Sequence, residues 1–244
     1  MNTKLPGATH LSPETRIAAS VAAWQKFRER RHKHVPERLP FITISREYGC
    51  EALSLAAHLV EILNERCRPA VPWASYDREV LDRVAHELNL SREIVASMDD
   101  RRRDAMSELF DAILNRKVDE ALMFRKIAEV LRSLATNGHT ILIGRGGYML
   151  TRDMKTGLHI RLVAPRSWRI QNIAKWKNLS LKDAEKDVEY GEAQRDTFLR
   201  TFFLSQPTHP FHLIIENSAF GVPQMAEIIF TALAARFGET LVED

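Results

Sequence analysis

The chain has 244 residues, 45% of them hydrophobic and 27% charged, enough for one large globular domain; wholesale disorder, collagen and disulfide scaffolds are excluded. No apolar run approaches the ~18 residues that span a bilayer, the longest candidate being residues 228–235, so no membrane partner is expected. A net charge of +3 suits an anionic small-molecule ligand without requiring nucleic acid.

In chain order, Ser12-Pro13-Glu14 starts a helix, with a side-chain acceptor, a proline in the first turn and an acid at the positive dipole end. It runs to about residue 31. Its segment 17–24 has the apolarity of a signal core, but Gln25-Lys26-Phe27-Arg28 follows instead of a small-residue cleavage site, so it belongs to the mature protein. The basic run 30–36 reads as an arm on the core or on a second subunit, a route to a homodimer. No aromatic residue interleaves with its charges, as nucleic-acid stacking would require.

After Pro40, residues 41–45 form a short buried strand rich in β-branched side chains. A helix follows over 52–66, its apolar face made by Leu53, Ala56, Leu59, Val60 and Leu63. Here and in the reduced-thiol pattern of the two cysteines, Cys50 and Cys67, which lack CxxC spacing, the chain reads as cytoplasmic. Zinc is not expected, because no histidine falls in an HExxH pattern.

Residues 71–76 are extended, and Pro72 puts them at an edge or a strand start. Helices are predicted over 78–88 and from a Ser91 cap. Arg101-Arg102-Arg103 is flanked by Asp99-Asp100 and Asp104, so its charge largely cancels. An amphipathic stretch over 106–137 ends at Gly138. Strands follow over 140–144 and 159–164, then helices over 166–177 and 180–203, the second opened by a Ser180/Asp183 capping box. Residues 211–216 make the last strand and 222–237 the terminal helix. The alternation predicts an α/β fold, a three-layer parallel sheet with helices on both faces. The division expected is 1–40 as a helical extension, 41–237 as core with helical insertions, and 238–244 as a tail.

Ligands of such sheets sit beyond the carboxyl ends of the strands, which points to the turn from Ser45 to Ser54. A phosphate loop needs glycines, so that amides converge on oxygen, and a lysine. This turn has one glycine and no lysine. Family resemblance nonetheless carries through five stretches: Ile42-Thr43-Ile44-Ser45-Arg46-Glu47-Tyr48-Gly49; Tyr76-Asp77-Arg78-Glu79-Val80-Leu81; Ile141-Leu142-Ile143-Gly144-Arg145-Gly146-Gly147-Tyr148-Met149-Leu150; Val163-Ala164-Pro165-Arg166-Ser167-Trp168-Arg169-Ile170; and Glu192, Arg195, Phe198 and Phe202. In order and spacing these resemble the cytidylate kinase-like family, a branch of the P-loop nucleoside monophosphate kinases.

The resemblance implies Mg-dependent transfer of the ATP γ-phosphoryl group to a nucleoside monophosphate, CMP being the name-giving acceptor. It implies ATP contacts at Ser45, Arg46, Gly49 and Ser54. Arg145 would hold the acceptor's phosphate or base, and Arg169 and Arg195, on lid helices, would close over the phosphates. Guanidinium suits this task because its planar fork binds phosphate oxygens in pairs. Asp77 would orient sugar or base. By the residues alone, Asp77 equally caps the helix beginning at Arg78, and Arg169 and Arg195 equally stand as exposed helix arginines. Trp168 and Trp176 are expected to pack.

The departures fall on the loop. Where relatives have Gly-Ser-Gly-Gly-Arg, this chain has Gly49-Cys50-Glu51-Ala52-Leu53. Two glycines are lost, the only cation on the turn is Arg46, and Ser54 is the only hydroxyl near a magnesium position. Glu51 sets a carboxylate by the phosphate position, where like charges at ~4 Å repel by about 4 kcal/mol at an effective dielectric of 20. Gly146 replaces the acid that often follows Gly-Arg. Two functions are therefore weighed: a working nucleotide kinase, or a kinase-fold protein without ATP binding that regulates or scaffolds.

Overall fold

A computed structural model describes residues 22–23, 39–77, 118–144, 146–203 and 211–241. Apart from residues 22–23, which are helical, the predicted N-terminal helix lies outside the described residues, as do the basic run, the helices over 78–88 and from 91, residues 106–117 of the amphipathic stretch, and Arg145. Within them the elements are β1 (Phe41–Arg46), α1 (Ala52–Cys67), β2 (Ala74–Tyr76), α2 (Val118–Asn137), β3 (Thr140–Ile143), α3 (Gly147–Thr151), β4 (Gly157–Val163), α4 (Arg166–Lys177), α5 (Leu181–Phe202), β5 (Leu213–Glu216) and α6 (Val222–Leu241).

The five strands are all parallel, in the order β2-β3-β1-β4-β5. Side-chain alternation on the central strand splits the core in two. Phe41 joins Leu142, Leu150 and the α2 residues Phe124, Leu131 and Leu134 on one face. Ile42 and Ile44 join Ile141, Ile143 and residues of α1 and α6 on the other. The expected three layers follow. Each fully buried aliphatic side chain contributes roughly 1.5–3 kcal/mol, so these two clusters hold the layers together.

Element ends follow their local chemistry. Gly138 closes α2, its N–H donating to Leu134 O at 3.1 Å, and Ser180 Oγ accepts from the Asp183 N–H at 3.2 Å to open α5. The five-residue α3 was not predicted, since it begins at the second of two glycines. The terminal helix runs past 237, continuing to Leu241 across a non-helical Phe237 (φ −134°). Trp176 departs from expectation: it is 64% exposed near the end of α4, whereas Trp168 is half-buried. No described helix is long and apolar enough to cross a membrane.

Two features position a site. The chain leaves β1 for β2 on one side and later crosses to β4 on the other, so a crevice opens at the carboxyl end of β1. Helices α4 and α5 stand over that crevice as a hairpin whose small core, Ile173, Ala184 and Val188, packs against Tyr48. The far end of α5 is held separately: Phe202 stacks on Phe124 at 4.3 Å between centroids, with Phe198 and Phe203 edge-on to the same ring.

Candidate functional site

The residues after β1 form a tight turn in which the Cys50 N–H donates to Glu47 O at 3.2 Å. Gly49 takes φ +98°, and a Cβ there would lie 2.9 Å from Arg169 Cβ and 3.0 Å from Arg169 O. Glycine is required twice over, for the turn and for the approach of α4. The Glu51 N–H then donates to Asn217 Oδ1 at 2.7 Å, and Asn217 Nδ2 donates back to Glu51 Oε2 at 3.1 Å. The Ala52 N–H turns to Cys50 O at 3.0 Å. Three consecutive amides that a phosphate loop would aim at its ligand are thus bonded to protein oxygens.

Asn217 is 2% exposed and fixed at the end of β5 by its own N–H, which donates to Val163 O at 2.8 Å. Leu53, where the family resemblance places arginine, is 39% exposed and carries no charge. Burial, then the Glu47 carboxylate, push the Cys50 thiol up to about 11, so it stays protonated and is no nucleophile. Among the described residues no group of three or more His, Cys, Asp and Glu side chains could hold a metal ion. Engaged amides, an uncharged Leu53 and the Glu51 carboxylate do not fit a Mg·ATP triphosphate on this loop.

The loop carbonyls are engaged as well. Asn172 Nδ2 donates to Gly49 O at 2.7 Å, and Arg169 Nη1 donates to Tyr48 O at 3.1 Å. Arg169 is only 6% exposed. Its Nε donates to Ala164 O at 3.0 Å and lies 3.5 Å from Glu47 Oε2, while Nη1 also pairs with Glu192. The Ala164 N–H donates to the same Glu47 oxygen at 3.1 Å. Arg169 therefore ties the hairpin to the loop and the end of β4, with its donors directed at protein acceptors.

Tyr48 adds a second tie. Its hydroxyl donates to Asp187 Oδ2 at 3.1 Å, and Lys177 Nζ donates to both oxygens, at 3.0 and 2.6 Å. The ring lies flat against Gly191 of α5, where a Cβ would fall 2.4 Å from Tyr48 Cδ2. Gly191→Ala is therefore expected to lose about 1–2 kcal/mol despite alanine's better helix propensity, because overpacking outweighs it. A higher melting temperature for this variant would show that the ring gives way freely.

The remaining arginines gather on the crevice. Arg46 lies over Gly144, a Cβ at which would fall 2.0 Å from its Nη1. Arg161, on β4 beside Ser45 in register, has Nη2 3.8 Å from Glu47 Oε1 and stands 5.8 Å from the Phe211 ring centroid. Arg195 is half-buried on α5. Burial, and next the positive charge of Arg161, lower its pKa from the usual arginine value. The structure thus brings Ser45, Arg46, Gly49, Arg169 and Arg195 to one crevice, with Ser54 in the first turn of α1 beside it. Asp77 follows β2, two strands from β1. Glu47, Asn217 and Arg161 were not singled out from the sequence.

Residues 41–219 match the model of the cytidylate kinase-like family. No curated protein matches the chain. Among solved structures, the chain resembles an uncharacterized protein from Eubacterium ventriosum with a TM-score of 0.62 and 15% identity, over 82% of this chain and 100% of that one. That likeness is one of fold. A shikimate kinase from Bacteroides thetaiotaomicron aligns at a TM-score of 0.43 and 15% identity, over 80% of this chain and 98% of that one, too loosely to carry an argument.

Proposed function

We propose, for a chain that belongs to the cytidylate kinase-like family, that it keeps the kinase architecture but has closed the triphosphate side, and works as a regulatory or scaffolding protein. The observation that supports this reading is the fate of the loop amides. The Cys50, Glu51 and Ala52 N–H groups donate to Glu47 O, Asn217 Oδ1 and Cys50 O. A triphosphate would have to break these bonds and leave the buried Asn217 amide without its partner, at about 1–3 kcal/mol for each buried group left unsatisfied. It would also meet the Glu51 carboxylate.

Calorimetric titration with ATP and Mg, followed by CMP and an assay for ADP, tests the reading. The expected result is no heat from ATP and no ADP. Sustained ADP production dependent on CMP would overturn it. In Glu51→Gly, the lost carboxylate is expected to bring ATP binding into the measurable range; continued silence would leave the engaged amides as the sufficient obstacle. A working kinase is the second reading, favoured by Arg195, which is half-buried on α5 and whose side chain makes no hydrogen bond to a described residue.

A further inference from the structure

We propose that the tip of the α4–α5 hairpin docks on an anionic lipid surface, with Trp176, Leu179 and Leu181 entering the headgroup layer and Lys175, Lys182 and Lys186 meeting the lipid charge. The inference goes beyond the closed loop and stands whether or not ATP binds there.

The tip is where the fold stops burying its apolar side chains. The hairpin's own core, Ile173, Ala184 and Val188, lies below it, and every residue from 175 to 183 is exposed. Trp176 is 64%, Leu179 38% and Leu181 62% exposed, three of the seven large apolar side chains exposed among the described residues. Single exposed apolar residues are ordinary, whereas three within six positions form a patch that marks an interaction site. The patch is also held in shape. Asn178 takes the left-handed conformation that ends α4, the Leu179 N–H donates to Ala174 O at 2.9 Å, and Ser180 caps α5. Little ordering entropy is left to lose on docking.

Charge selects the occupant. The acids round the tip are already engaged: Asp183 accepts from Ser180 Oγ at 2.7 Å, Glu185 from Arg166 at 2.8 Å, and Asp187 from Lys177 at 2.6 Å. Lys175, Lys182 and Lys186 are exposed and form no ion pair among the described residues. The tip therefore presents uncompensated positive charge beside an indole and two leucines. An anionic bilayer offers both complements at once, negative headgroups and an interfacial layer in which tryptophan rings settle. Lysine stems lie along the apolar surface while their ammonium groups stay at headgroup level. A convex tip suits a deformable surface, whereas a rigid protein would have to bring a matching pocket. No described helix is long and apolar enough to cross a membrane; the contact is peripheral, and the lack of a spanning run does not bear on it.

The test sediments the full chain with vesicles of phosphatidylcholine alone, or with about 30% phosphatidylserine added, and records its tryptophan emission. The expected result is binding to the anionic vesicles, with blue-shifted emission, that weakens as salt screens the lysines. Neutral vesicles should bind at least about tenfold less. Trp176→Ser with Leu181→Ser, and separately Lys175→Glu with Lys182→Glu, should each weaken binding by about tenfold or more. Thermal melts should stay unchanged, because all four side chains are exposed. No binding of wild type to anionic vesicles, equal binding to neutral ones, or binding that either double variant leaves unchanged would overturn the proposal. A solution dimer that Trp176→Ser with Leu181→Ser converts to monomer, without vesicle binding, would overturn it in favour of a second copy as occupant. ATP titration reports on the loop alone and moves none of these outcomes.

Discussion

Arg169→Ala is expected to cost about 3–5 kcal/mol of folding stability, the range for deleting one partner of a buried ion pair. The residue is 6% exposed, and its removal takes the Arg169 donor from the Ala164 and Tyr48 carbonyls and the Glu192 carboxylate, and the ion pair from Glu47, which keeps the Ala164 N–H. The damage is local before it is global. Amide exchange should quicken first in the turn from Glu47 to Cys50 and in the first turn of α4, where Arg169 joins the two. Urea denaturation and exchange measured together distinguish the roles. A loss below about 1 kcal/mol, as for a surface position, with collapse of ligand affinity, would return Arg169 to the phosphate-binding part that the family resemblance implied.

Stability is also expected to fall steeply as pH drops from about 6.5 to about 4. His139 and His159 are both buried, and burial holds each pKa down at about 4 against an ordinary value of 6.5. Within that window the unfolded chain takes up protons that the folded chain refuses, so the unfolded state gains free energy as pH falls. The contribution is intact above 6.5 and is lost progressively toward 4, by up to about 3 kcal/mol per ring. His139 stacks on Trp73 at 4.9 Å with Nδ1 2.6 Å from Val71 O. His159 stacks on His212 at 5.0 Å; the charges of His212 and Arg236 reinforce its depression, and Asp153 opposes it. Neither Nε2 has a hydrogen-bond partner among the described residues. Urea titrations from pH 4 to 8 should show a shallower slope in His139→Phe and in His159→Phe than in wild type. Equal slopes would mean that carboxylates alone cause the acid loss.

The layers were legible because they follow period-2 and period-3.6 patterning. Phe41, Ile42, Thr43 and Ile44 alternate between two helical faces, and each long helix carries one apolar side. The loop was legible only by subtraction. Missing glycines and Glu51 signalled trouble with phosphate, but the group that takes up the Glu51 amide lies 166 residues away, at Asn217. Such a bond has no local signature. Arg169 presented the opposite difficulty: a helix arginine beside Pro165 looks solvated, and only the approach of α4 to Gly49 buries it. Arg161 did leave a trace. In His159-Ile160-Arg161-Leu162 the polar residues occupy alternate positions of a buried strand, a pattern that pure apolarity does not need. Arg145, which carried the clearest strand-end argument, lies outside the described residues.

The two attachments of α5 have a mechanical consequence. Gly191 bears on Tyr48 and Phe202 bears on Phe124, about 16 Å further along a rigid helical rod. Such a rod is a rocker with a bearing at each end: displacing Tyr48 at one must load the aromatic stack at the other. Strain at the turn after β1 is thereby delivered mechanically to α2, on the opposite side of the crevice.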